Sequence, residues 1–157
     1  MGFGAMGQLA RQNMTYLDLA AELIEHFEGC KLKAYRCPAG ILTIGYGHTG
    51  DVEEGEEITQ AEAVALLMQD MQSADHCIDE YVEVGLDDDR RAALLSFIFN
   101  LGCGAFRGST LLKLINAGSF HAAAQQFGRW TKAGGVELPG LVTRRAAERV
   151  LFEKVTA

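Results

Sequence analysis

The sequence predicts a mainly α domain of the α+β class, and three observations carry that expectation. The chain is 48% hydrophobic and only 22% charged, which suffices to bury a core and excludes a disordered polymer. Helix formers dominate, and only two prolines interrupt the 157 residues. Residues 27–49, FEGCKLKAYRCPAGILTIGYGHT, differ from the amphipathic segments on either side: short alternating runs and glycine-rich turns read there as strands. The length fits one domain, or one domain made of two small lobes.

Residues 1–13, MGFGAMGQLARQN, are glycine-rich and irregular and read as a loose extension ahead of a single domain over 14–157. They lack the continuous apolar stretch of a secretory signal. No run in the chain approaches the roughly eighteen apolar residues of a membrane helix. Stable membrane insertion is therefore not expected, and synthesis in a cytoplasm is.

Over residues 15–27, Leu17, Ala20, Ala21, Leu23, Ile24 and Phe27 fall on one helical face, and Gly29 is placed to end the helix. Glu28 then sits at the negative end of the helix dipole. That position disfavours a carboxylate by about 0.3–1 kcal/mol, so burial must supply most of what a proton donor needs. Strands follow at 33–37 and 41–46 around the turn Pro38-Ala39-Gly40. Alternation puts Ile41, Thr43, Gly45 and Gly47 on one face and Leu42, Ile44 and Tyr46 on the other. Glycine on a strand face marks either a ligand close to the backbone or a bend at a sheet edge.

Residues 51–57 form an acidic loop, and Thr59 with Glu62 has capping-box form. The helix it opens runs to about 82, with Ala63, Val64, Leu67, Met68, Met71 and Ile78 on its apolar side. It is long enough to link an N-terminal α+β lobe (about 14–60) to a C-terminal helical lobe (about 87–157). Asp87, Asp88 and Asp89 mark the next helix start, and the apolar run at 92–99 makes that helix central to the core. Gly102-Cys103-Gly104 ends it. Ser109 caps a helix to 115, Ser119 another to 130, and Gly134, Gly135, Pro139 and Gly140 form a loop. The last helix, about 141–155, is expected to turn Val142, Ala146, Val150 and Leu151 inward and Arg144, Arg145 and Arg149 elsewhere.

The net charge of −7 conceals an asymmetry: residues 51–89 hold fourteen acids and no Lys or Arg, while 107–157 hold eight bases and three acids. The acidic middle argues against nucleic acid as a partner. Cys30, Cys37, Cys77 and Cys103 lack the paired spacing of a metal site, so no metal is expected. In a cytoplasmic chain they are expected to be free thiols.

The spacing Glu28, eight residues, Cys37, five residues, Thr43, within EGCKLKAY and TIGYGH, resembles the phage T4-type lysozyme or endolysin family, glycoside hydrolase family 24. FNLGCGAFRGSTLLKLINAGSFHAAAQQFGRWTKAGG and PGLVTRRAAERVLF are similar to its lambdoid endolysin branch, and the resemblance spans about residues 14–152. It implies a lysozyme-like fold with a cleft between the lobes. It also implies hydrolysis, with inversion, of the β-1,4 bond between N-acetylmuramic acid and N-acetylglucosamine in bacterial peptidoglycan. Glu28 would be the general acid, Cys37 would take the water-side position held by Asp in many members, and Thr43 would help place the water. Arg144 or Arg145 would face Glu28 across the cleft, Tyr35 and Gly45 would line or support the site, and His48 would be structural, bonded to an acidic residue of the following helix. The resemblance implies no cofactor, a monomer, and an endolysin kept in the host cytoplasm until a holin-type pore releases it to the periplasm and wall.

Two other functions remain open on the sequence: a non-cleaving wall-binding protein on the same fold, and a lytic transglycosylase that uses one Glu and no base. For Cys37, an inert thiol or a regulatory disulfide, with Cys30 its nearest neighbour in sequence, stands beside the working base.

Overall fold

The computed structural model describes residues 14–154. The extension at 1–13 and the last residue of the helix expected to end at 155 lie outside the described residues. The first helix, α1 (Tyr16–Glu28), starts in a capping box in which the Thr15 side chain and Asp18 cap each other. It stops at Gly29, which has φ +68° and donates its N–H to the Glu25 carbonyl. Glu28 is thus the last helical residue. The antiparallel hairpin β1 (Lys31–Arg36) and β2 (Leu42–Gly45) follows, with Tyr35 opposite Thr43 and a shift in register between Lys31 and Tyr35. The acidic loop runs along the free edge of β1, where Ala34 donates to Glu56 and Ile58 to Leu32.

The long helix α2 (Gln60–Tyr81) begins in the expected Thr59–Glu62 capping box. It buries Ala63, Leu67, Met71, Ala74, Cys77 and Ile78, whereas Val64 and Met68, expected on the same side, are exposed. They lie next to the buried stripe, which is narrower than the apolar pattern suggests. Helix α3 (Asp88–Leu101), capped by the Asp87 side chain, has residues 92–98 buried on every side and packs against α1 and α2. Its Phe97 ring meets Phe106, Phe127 and Trp130 edge to face at 6.3, 5.5 and 5.6 Å.

The chain then departs from expectation in three places. Cys103 and Gly104 do not simply end α3, because the short helix α4 (Cys103–Arg107) starts there. After α5 (Thr110–Asn116), the segment expected as one helix to 130 is α6 (Phe120–Gln126) followed by a 3-10 turn, Phe127–Arg129. Gly134 and Gly135, both at positive φ, make the turn of a small hairpin, β3 (Lys132–Ala133) with β4 (Val136–Glu137). Pro139 opens α7 (Pro139–Glu153) at a position where its missing N–H costs nothing.

Helix α7 is turned only partly as expected: Leu151 packs against the core, but the rest of the expected inner face does not. Val142 and Val150 are 41% and 70% exposed, and Ala146 is exposed too, while Arg144, Arg145 and Glu148 are buried with Phe152. Hydropathy sorts residues by transfer free energy one at a time, and it misses charges that are buried because they pair with each other.

The expectation of four free thiols is also corrected. Cys77 on α2 and Cys103 on α4 form a disulfide with Cα atoms 5.9 Å apart, while Cys30 and Cys37 stay free. Among the described residues, no helix is long and apolar enough to cross a membrane. The two bonded cysteines are 26 residues apart in sequence, so reduction or Cys103→Ser is expected to cost about 3.5 kcal/mol of stability by loop-closure entropy. Urea unfolding with and without reductant measures it, and equal midpoints would contradict the estimate.

Candidate active site

Glu28 emerges at the end of α1 with its side chain 23% exposed, and Oε1 accepts a 2.7 Å hydrogen bond from Nη1 of Arg144. Its other oxygen, Oε2, faces Gly47, where an added Cβ would lie 3.3 Å away. Gly47 has φ +79° and belongs to a tight turn closed by paired backbone bonds between Ile44 and His48. Its missing side chain and its φ both clear the space around the carboxylate.

Arg144 resolves the choice between the two arginines. Its guanidinium is almost fully enclosed, yet every nitrogen has an acceptor. Nη1 donates to Glu28, Nη2 to the Ser96 carbonyl and hydroxyl (3.2 and 3.3 Å), and Nε to Glu148 at 3.4 Å. Arg145 makes no hydrogen bond or ion pair with Glu28. It donates to Asn100, lies 5.1 Å from the Phe97 ring centroid, and has Nη1 2.9 Å from Glu148 Oε1. That last contact lacks hydrogen-bond alignment and acts through charge alone. Burial pushes Glu148 up from the ordinary carboxyl range, opposed first by Arg145, and pushes Arg145 down.

The hairpin supplies the other groups. Tyr35 and Thr43 are register partners and share a face, and Cys37 follows two residues after Tyr35. The backbone N–H groups of Ile41 and then Ala39 hold the Cys37 thiol below its ordinary range, with a further contribution from the Thr43 hydroxyl. That hydroxyl also donates to the Ile41 carbonyl at 2.9 Å. A hydroxyl has one proton, so the two uses alternate, and the thiolate competes for it. Thr43 is only 3% exposed. Tyr35 carries the Lys31 ammonium 4.5 Å from its ring centroid.

Gly45 does not face the groove. It sits against Ala63 and Ile58 at φ +65°, so its lack of a side chain serves the packing of the hairpin on α2. Gly47, expected on the same strand face, lies in the turn beyond β2 and is the glycine beside the carboxylate. His48 has Nδ1 2.8 Å from Asp70 of α2 and Nε2 2.8 Å from the Gly50 carbonyl, the structural arrangement expected of it. A groove of about 280 Å³ opens from Gly47 and Thr49 past Asp70 and Ser73 to Ile98 and Phe99.

Residues 25–148 match the family model described as phage lysozyme. The chain belongs to the phage lysozyme family. It is 46% identical to a SAR-endolysin of Bacteriophage PS119 over 123 residues, covering 78% of this chain and 74% of that one. It is 42% identical to an endolysin of Acyrthosiphon pisum secondary endosymbiont phage 1, over 83% of this chain and 92% of that one. A mutant of P22 lysozyme superposes with a TM-score of 0.79 at 39% identity, covering 86% of this chain and 95% of its own. The muramidase domain of SpmX from Asticaccaulis excentricus superposes with a TM-score of 0.82 at 37% identity, covering 87% and 95%. The lysozyme-like fold expected from the sequence is the fold found.

Sequence reasoning about this phage lysozyme missed Gly47, Ser96 and Glu148. The i, i+4 spacing of Arg144 and Glu148 was a visible signal, and Ser96 stood out as the one polar side chain at 92–99. For Cys37, iodoacetamide alkylation in a Cys30→Ser background is expected to titrate below the ordinary thiol range. A depressed thiol adds stability above its unfolded value and loses it as pH falls through the folded one. A midpoint in or above the ordinary range would contradict the donor arrangement around the sulfur.

Proposed function

We propose that this phage lysozyme hydrolyses the β-1,4 bond between N-acetylmuramic acid and N-acetylglucosamine of bacterial peptidoglycan and so lyses the host, with Glu28 as general acid. The observation that carries this reading is a carboxyl at a rigid helix end, partly open, held on one oxygen by an enclosed guanidinium and facing a side-chain-free turn on the other. Glycosidic cleavage needs a proton on the leaving oxygen, and Glu28 is placed to give it. Transfer leaves a carboxylate, the form that Arg144 pairs with, so the arginine favours the transferred state.

On the opposite face of the sugar, Cys37 and Thr43 hold and activate the water, and the anomeric centre inverts. An inverting pair stands roughly 6.5–9.5 Å apart to admit that water. The lowered Cys37 thiol supports the basic role, since more of it is thiolate near neutral pH than for an ordinary cysteine. Tyr35 supports the hairpin face from which both groups act. The hairpin side (about 14–60) and the helical side (about 87–157) form the walls of the substrate groove, with α2 joining them, and no cofactor takes part.

The protein is made in the host cytoplasm, passes a holin-type pore and works as a monomer in the periplasm and wall. The Cys77–Cys103 disulfide supports an oxidising destination. Turbidity loss of outer-membrane-permeabilised Gram-negative cells, followed by product analysis, tests the chemistry. Wild type is expected to lyse and to release reducing muramic ends, with Glu28→Gln at least about 100-fold slower. Binding without lysis, or 1,6-anhydro muramic ends, would overturn the assignment.

A further inference from the structure

Helix α7 carries a carboxylate that the proposed chemistry does not use. Glu148 is fully buried, accepts a 2.6 Å hydrogen bond from the Ser96 hydroxyl and a longer one from Arg144 Nε, and has Arg145 against its other oxygen. Its position raises a question of charge. Arg144 touches Glu28, and Arg145, its neighbour on α7, is bound to the same Glu148. A proton donor must carry its proton, and positive charge placed beside a carboxyl favours the ionised form.

The groups around this cluster leave little else to balance them. From α3, Ser96 and Asn100 are uncharged. The turn after β2 presents Gly47, and His48 beyond it is engaged by Asp70 and the Gly50 carbonyl. On α1, Phe27 lies 5.8 Å from the Arg144 guanidinium, and Glu25 sits a turn earlier, its backbone carbonyl capping Gly29. Among the described residues, Glu148 is the carboxylate that contacts both guanidiniums.

Resting on the reading of Glu28 as the general acid, we propose that Glu148 is the counter-charge that lets Glu28 carry its proton beside Arg144 and Arg145. It is a positioning residue in two senses. Burial disfavours an ionised Glu148, while Arg145, the Ser96 hydroxyl and Arg144 favour it; ionised, it leaves the arginine pair behind Glu28 with a single net positive charge, and without it the pair carries two. The hydrogen bond to Arg144 Nε also fixes the rotation of the guanidinium, and so the direction in which Nη1 meets Glu28. The Ser96 hydroxyl, bonded to Glu148 and to Arg144 alike, locks the arrangement.

The pH profile of lysis separates this role from a merely structural one. In Glu148→Gln, a replacement of the same shape, the second positive charge is uncompensated. The alkaline edge of activity is expected to move to lower pH by at least about one unit, with activity at pH 7 falling about tenfold while the acid side is retained. Glu148→Asp is expected to restore the edge in part. Arg145→Gln combined with Glu148→Gln removes one charge of each sign, and its edge is expected to return to the wild-type position. The double variant also serves where the single one does not fold. A uniform loss at every pH in Glu148→Gln, or an edge displaced by about one unit in the double variant, would overturn the proposal. Glu28→Gln, assayed alongside, keeps the two claims apart. If it lyses, the general-acid reading fails and this one with it. If it is inactive while the Glu148→Gln edge stays fixed, only the counter-charge fails.

Discussion

The contact between Arg144 and Glu28 joins residues 116 apart in sequence, the last helix to the first, and much of the molecule is arranged to make it possible. Enclosing a guanidinium removes several kcal/mol of hydration per ion, which is recovered only if every donor finds an acceptor. Arg144 meets that condition through Glu28, Glu148 and both oxygens of Ser96. The requirement explains why α7 buries its charged side and exposes Val142 and Val150. It also explains a serine inside the apolar, fully buried stretch of α3, where a hydroxyl without partners would be costly.

The same constraint shapes the site. Because the arginine is held from behind, Glu28 is drawn to one place at the end of α1, and Gly29 turns the chain away immediately after it. The hairpin then returns to the carboxylate at Gly47, while Gly45 lets the strand lie on α2. Placement of the acid thus rests on rigid elements rather than on a loop. The Cys37 side of the site is built differently, from backbone N–H groups in a tight turn around one sulfur. Further off, the disulfide ties the later part of α2 to α4 along the wall of the groove, where Cys103 is a lining residue.

What the sequence made legible follows from local chemistry. Thr59 and Asp87 cap helices because short polar side chains satisfy the first free N–H groups, and each was readable within four residues of chain. Gly29 as terminator, Glu28 at the helix end and His48 bonded to an acid on the next helix were readable on similar grounds or by resemblance. What was not legible depended on distant partners. The buried charged face of α7 needs Ser96 and Glu28, neither near it in sequence. The pairing of Cys77 with Cys103 needs the packing of α4 beside α2. The choice of Arg144 over Arg145 needs the rotation of one helix, about 100° per residue. Gly45 and Gly47 shared one expected face, and the positions of Ala63 and Ile58 by one and of Glu28 by the other distinguish their uses.

If the Arg144–Glu28 contact is the interaction that the arrangement depends on, the two residues must be energetically coupled. A double-mutant cycle of Glu28→Ala, Arg144→Ala and the pair, read as unfolding free energies in urea, measures that coupling. The structure predicts an interaction of at least about 1.5 kcal/mol, with the double variant less destabilised than the sum of the single ones. Additivity within about 0.5 kcal/mol would contradict it.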